Sequence, residues 1–312
     1  MKRFSWILVI LLSLFVFIGC SAGAVNNEGV IEVIVSRDFG KEELSSKRID
    51  VAEGQTVLDI LEENFEIETA YGGSFVNGID GLKSGFTNQK KREKIDWFYY
   101  VNGILTQVGA GDYEIRTGDV VIWDYHYWDN ANYLSSMIGA YPNNFVNGYD
   151  GNVLNVNILC IEGYEQDGEK LQAYLINHGV GNVESSNIDE EVLQNDGINT
   201  IVIGPWDELL KYEYISELYE NREKAGLFFE IDESIAALDH DGNRIETFDK
   251  GAVIASALKG YGVMSTIWLI TGNDEACIKE GVHLLYENPE KIKGLFSVIK
   301  AENEWIHLPM NE

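Results

Sequence analysis

The sequence predicts an α+β block followed by an α/β domain with a mainly parallel sheet. Three observations carry this. Residues 30–128 read as two strands, one helix and then a run of strands. Residues 153–312 read as strands alternating with helices. An Asn-, Gly- and Tyr-rich connector, 129–152, separates the two.

The chain has 312 residues, with 23 Lys and Arg against 51 Asp and Glu, for a formal charge of −28. It is 45% hydrophobic with only 4 prolines, a globular composition. So acidic a surface repels phosphate backbones, which excludes nucleic acid as a partner and disfavours adhesion to anionic lipid. The one basic cluster, Lys90, Lys91, Arg92 and Lys94, lies in a polar stretch and reads as a solvated loop.

Residues 1–19 read as a signal peptide. Lys2 and Arg3 precede an apolar run from Trp6 to Ile18, shorter than the roughly 20 apolar residues a membrane span needs. Phe17-Ile18-Gly19-Cys20 resembles the bacterial lipobox, with Phe17 where Leu is usual. That resemblance implies lipidation of Cys20, which would hold the chain at the outer face of the cytoplasmic membrane. Ordinary cleavage near Ala22 or Ala24 is the alternative. Residues 20–29 then form a tether. Cys160 and Cys277 fall in apolar patterns and read as packed cysteines, though an oxidising exterior would allow a disulfide.

Within 30–128, alternating apolar residues at Val30–Ser36 predict a strand, with Ile49–Val51 as its partner. Val57, Leu58, Ile60, Leu61 and Phe65 make an amphipathic helix behind Gln55 or Thr56 as N-cap. Phe75–Ile79, Trp97–Val101 and Val120–Trp128 predict strands, and Asn102-Gly103 a tight hairpin.

Four ordered motifs in this block resemble the transcobalamin-like, soluble-ligand-binding β-grasp family. They are Gly54–Leu61, Asp96–Gly103, Val108–Tyr113 and Gly118–Trp123. The resemblance covers about 30–128 and is more specific for the fold than for the ligand. It implies a β-grasp domain whose relatives include the C-terminal domain of vertebrate cobalamin carriers and bacterial surface lipoproteins associated with uptake systems.

The residues themselves suggest where a ligand would sit. Trp97, Tyr99 and Val101 share one face of their strand, Phe98 and Tyr100 the other, and one face must cover the helix. Along 120–128 the row Val120, Ile122, Asp124, His126 and Trp128 turns from apolar to polar. This predicts a strand running out from under the core to an exposed lip. Asp124, Tyr125, His126 and Trp128, with Trp97 and Tyr99 nearby, are therefore candidate ligand-binding residues. They suit a flat amphipathic molecule such as a corrinoid or tetrapyrrole, with no cofactor required. Tyr71 and Phe75 flank Gly72-Gly73, which either approaches the ligand or makes a plain helix-to-strand turn.

In 153–312, strands are predicted at 153–161, 200–203, 227–231, 266–270 and 296–299, with helices at 168–177, 207–223, 252–258 and 274–285. Gly204 and Gly272 stand at strand exits where such sheets bind anions or merely turn, with Asp207 and Asp274 as caps. Asp239–Asn243 mimics the start of a calcium loop but lacks its Glu, and reads as a type I′ turn at Asp241-Gly242.

No local catalytic or metal signature is present, so neither enzymatic activity nor a metal site is expected. The reading is a lipid-anchored extracytoplasmic protein that captures a corrinoid or similar flat cofactor for a membrane importer. A surface module binding a protein or polymer stays open, as does a hydrolase using a carboxylate pair in the α/β domain.

Overall fold

A computed structural model describes residues 29–73, 75–128 and 134–310. Cys20 and the signal segment lie outside the described residues. Eight strands precede the connector: β1 (Gly29–Arg37), β2 (Glu42–Val51), β3 (Ile67–Ala70), β4 (Phe75–Ile79), β5 (Leu82–Lys83), β6 (Ile95–Val101), β7 (Ile104–Leu105) and β8 (Val120–Tyr127). Five of them form a sheet in the order β2-β1-β8-β6-β7, with β1 and β8 parallel and the other pairs antiparallel. β3, β4 and β5 form a small separate sheet.

The helix Val57–Asn64 starts where a capping box can form. The Thr56 hydroxyl accepts from the Asp59 amide at 3.2 Å, and the Asp59 carboxylate accepts from the Thr56 amide at 2.8 Å. Of the two candidate caps, Thr56 is thus the one used. Val57, Ile60 and Leu61 are each 1% exposed and pack on the sheet, where burial of each stabilises by about 1.5–3 kcal/mol. The hairpin at Asn102-Gly103 has φ of 49° and 79°, as a type I′ turn requires.

Ten strands follow: β9 (Asn155–Cys160), β10 (Val183–Asn187), β11 (Ile198–Pro205), β12 (Phe229–Ile231), β13 (Ile235–Leu238), β14 (Arg244–Phe248), β15 (Gly251–Leu258), β16 (Thr266–Gly272), β17 (Ser297–Ala301) and β18 (Glu304–Leu308). Seven make a sheet in the order β10-β9-β11-β16-β15-β17-β18, and β12, β13 and β14 make another of three. The large sheet is parallel from β10 to β16 and antiparallel beyond, so it is mixed rather than mainly parallel. Among the described residues the chain is a mixed α/β structure of four sheets, rich in strand.

Two expectations fail here for physical reasons. Residues 252–258, expected to be helical, form most of β15 between two antiparallel neighbours. Its alanines favour helix intrinsically, but every residue from Gly251 to Ala257 is buried, and a strand covered on both faces needs no alternation. The 239–243 loop is not a type I′ turn, because only Gly242 has positive φ. Instead the Asp239 carboxylate accepts from the amides of Asp241 and Asn243 at 2.9 and 2.8 Å.

The core has three parts. One lies between the helix Val57–Asn64 and the five-stranded sheet, with Val33, Trp97, Tyr99, Val121 and Trp123. A second packs the helices Glu165–Asn177 and Glu275–Glu287 on the large sheet. The third is shared: Ile34, Tyr100 and Ile122 from the first sheet and Phe39 from its β1–β2 turn pack with Phe228, Phe229, Leu269 and Phe296 from the second half. Both faces of β8 are therefore covered. Cys160 and Cys277 are buried and free, and burial pushes both thiols up to about 11.

Candidate functional site

Strand parity sends the β6 and β8 aromatics to opposite faces, and the two faces have different fates. On the helix side, Trp97, Tyr99, Trp123 and Tyr125 form a continuous ring layer. Tyr99 stacks on Trp123 at 4.8 Å, and Trp97 meets Tyr125 at 5.2 Å. The polar ends of three of them are tied to backbone, while the buried Trp123 indole nitrogen makes no hydrogen bond among the described residues. The Trp97 indole donates to the Leu82 carbonyl at 3.0 Å, the Tyr99 hydroxyl to Val108 at 2.6 Å and the Tyr125 hydroxyl to Lys83 at 2.9 Å. Burial raises the Tyr99 phenol far above its usual range, so it stays a donor.

Trp97, Tyr99 and Trp123, together with Phe75, Leu58 and Leu105, wall a recess of about 230 Å³. Gly73 lies on its rim with φ of 100°, and Tyr71, 77% exposed, meets Phe75 edge-on at 6.2 Å. Four of the sequence candidates, Tyr71, Phe75, Trp97 and Tyr99, thus gather around one aromatic recess.

The other face corrects the expected lip. Asp124 and His126 are 0% and 1% exposed, because the second half of the chain covers the row that carries them. The Asp124 carboxylate accepts from the Ser36 hydroxyl at 2.6 Å and from the Phe39 and Gly40 amides at 3.0 and 2.8 Å. It also pairs with His126 Nδ1 at 2.7 Å. The His126 ring lies between Phe39 at 4.6 Å and Phe98 at 4.5 Å. This is a packed polar clasp. Its polarity reflects the left-handed turn Asp38-Phe39-Gly40 that it binds, with φ of 55°, 61° and 80°.

Trp128 is half-buried and belongs to neither a lip nor the recess. Its indole donates to Asp96 at 3.2 Å, and its ring meets Phe86 edge-on at 5.4 Å and lies under Lys94. Arg92 and Lys94 of the basic cluster thus lie over the Phe86 and Trp128 rings.

A larger concavity lies across Leu105, which belongs to both walls. This groove, of about 740 Å³, is framed by the end of β7, the helix Glu213–Glu220, the following turn and the β15–β16 loop. Leu105, Tyr214, Leu218, Ala225, Leu258 and Tyr261 supply its apolar surface. Tyr261 is 98% exposed on the turn Gly260-Tyr261-Gly262, where Gly262 has φ of 75°. The sequence reading missed the groove, since its walls come from segments more than 100 residues apart. The aromatic between two glycines was the one local signal.

The strand exits are packing features. A Cβ on Gly204 would meet Ile161 at 2.4 Å, and one on Gly272 would meet the Gly251 carbonyl at 2.1 Å. Asp274 does cap its helix, accepting from the Cys277 amide at 3.1 Å, whereas Asp207 sits in the first turn of the helix Trp206–Leu209, which follows Pro205 with no side-chain cap. Among the described residues, no group of three or more His, Cys, Asp or Glu is arranged to hold a metal ion.

Comparison with known proteins places one segment of the chain. A family model described as "Domain of unknown function (DUF4430)" matches residues 54–127. No curated protein matches the chain. A crystal structure of a "putative metal binding protein" from Ruminococcus gnavus is similar at 16% identity, covering 32% of this chain and 98% of that one, with a TM-score of 0.25. Haptocorrin in complex with Cbi is similar at 21% identity and a TM-score of 0.26, covering 33% of this chain and 26% of that chain. The matched segment, 54–127, runs from just before the helix cap to the last residue of β8 and carries most of the recess wall.

Proposed function

We propose that the chain is an extracytoplasmic binding protein that captures a flat, amphipathic small molecule, of corrinoid or tetrapyrrole type, in the groove beside Leu105. The observation that carries this reading is the groove itself, whose 740 Å³ falls within the roughly 300–1,000 Å³ usual for small-molecule sites. Its apolar wall with a polar rim suits such a ligand, and the 230 Å³ recess would take a projecting group. In this reading residues 30–128 form a β-grasp domain and 153–312 an α/β domain, with the groove where they meet.

Titration with cobalamin, cobinamide and haem, followed by Trp fluorescence, tests the proposal. Leu105→Trp, which fills the common wall, should weaken a bound compound about a hundredfold, a loss of roughly 2.8 kcal/mol. Saturable binding that Leu105→Trp leaves unchanged would place the site elsewhere.

The same proposal holds the protein at the outer face of the cytoplasmic membrane through a lipid on Cys20, handing its ligand to an importer. The Gly19-Cys20 junction behind the apolar run supports this. Cys20→Ala should leave an uncleaved or mislocalised precursor in fractionated cells. A cleaved and soluble variant indistinguishable from the parent would end the lipobox reading.

A further inference from the structure

From the side chains around the groove we infer that its ligand carries an anionic group, a carboxylate or an acid of similar charge, met by Lys224 and Lys259. This rests on the groove being the binding site. The chain has 51 acidic residues against 23 basic ones, yet the groove is lined by two lysines and one carboxylate, Glu217. The local balance is thus reversed from that of the molecule.

The two lysines differ in setting. Lys224 is exposed on the last turn of the short helix Arg222–Ala225 and forms no ion pair among the described residues. Lys259 is 8% exposed, at the root of the β15–β16 loop that carries Tyr261. Its ammonium donates to the Asn195 and Val192 carbonyls at 2.9 and 3.3 Å, at the C-terminal end of the helix Glu190–Leu193. Those contacts close the end of that helix, and among the described residues no carboxylate lies within ion-pair distance of the ammonium, Asp196 acting on it only from farther off. Lys259 also lines the groove, where an anionic group on a ligand would add the charge partner that backbone carbonyls do not supply.

The groups facing Lys259 are few. Burial lowers its ammonium to about 8, with Asp196 opposing the shift. The Tyr214 hydroxyl donates to the Lys259 carbonyl at 3.0 Å, and burial keeps that phenol protonated. Glu217 and Lys224 share the rim. Compensation by an anion raises the ammonium's pKa in the complex, so the anion's advantage is complete below the free-state value of about 8 and is lost as pH rises from there through the higher value in the complex.

The experiment compares two dyes of the same aromatic body, 1-anilinonaphthalene-8-sulfonate and neutral N-phenyl-1-naphthylamine, by fluorescence titration. The sulfonate should bind more tightly, and Lys224→Met and Lys259→Met should each weaken it about tenfold while leaving the neutral dye within about twofold. The preference should also shrink between pH 7 and pH 9.5, where the sulfonate itself does not titrate. Lys224→Met carries the test alone should Lys259→Met disturb the fold. Equal losses for both dyes, or a preference insensitive to both lysines and to pH, would overturn the anion assignment while leaving the groove. If Leu105→Trp changes neither dye, the groove reading itself fails.

Discussion

Asp124→Ala is expected to destabilise the protein by about 3–5 kcal/mol, the range for removing one partner from a buried charged network. Asp124 is fully buried and receives four hydrogen bonds, from Ser36, Phe39, Gly40 and His126. Two of those donors are amides of a turn with three successive left-handed residues. Without the carboxylate the amides are buried unpaired, and nothing offsets the backbone strain. The turn also drives Phe39, 2% exposed, between His126 and Phe296. Urea unfolding would measure the loss, with the folded variant keeping its ligand affinity. A change below about 1 kcal/mol accompanied by lost affinity would return Asp124 to a binding role.

Trp123→Ala should cost a similar 3–5 kcal/mol, because a large buried ring is replaced by a void. Trp123 is 3% exposed, stacks on Tyr99 and touches both the helix core and the recess. Trp128→Ala should cost only about 1–2 kcal/mol, from its Phe86 contact and its hydrogen bond to Asp96, and should leave ligand affinity unchanged. Thermal unfolding of both variants, with titration of the same ligand, separates the two roles. Weakened binding by Trp128→Ala with intact stability would restore the exposed lip.

Several features of this site were legible because they are local. Parity along Trp97–Val101 split the rings into the right two sets but did not say which set faces the helix; the structure puts Trp97 and Tyr99 there, away from Asp124 and His126, and Phe98 and Tyr100 against the second half. Asn102-Gly103 specified its own turn, and Thr56 with Asp59 its own helix start. The reading failed where distant residues decide. Asp and His at the end of a strand usually mean water, but here Phe228 and Phe296, more than 100 residues away in sequence, cover the row. The β15 alanines pointed to helix until two neighbouring strands claimed their backbone. The groove has the same cause, since Leu105, Leu218 and Leu258 announce nothing singly.

The double covering of β8 bears on inheritance. A stretch copied from one gene into another carries its own amino acids but not its shelter. Residues 54–127 leave behind β1, the parallel neighbour of β8, and all of Phe228, Phe229 and Phe296, which shield Tyr100 and Ile122. In this chain the stretch depends on a flanking strand and an apolar roof that come from outside it. The unit that folds together here is therefore larger than the unit that sequence similarity outlines.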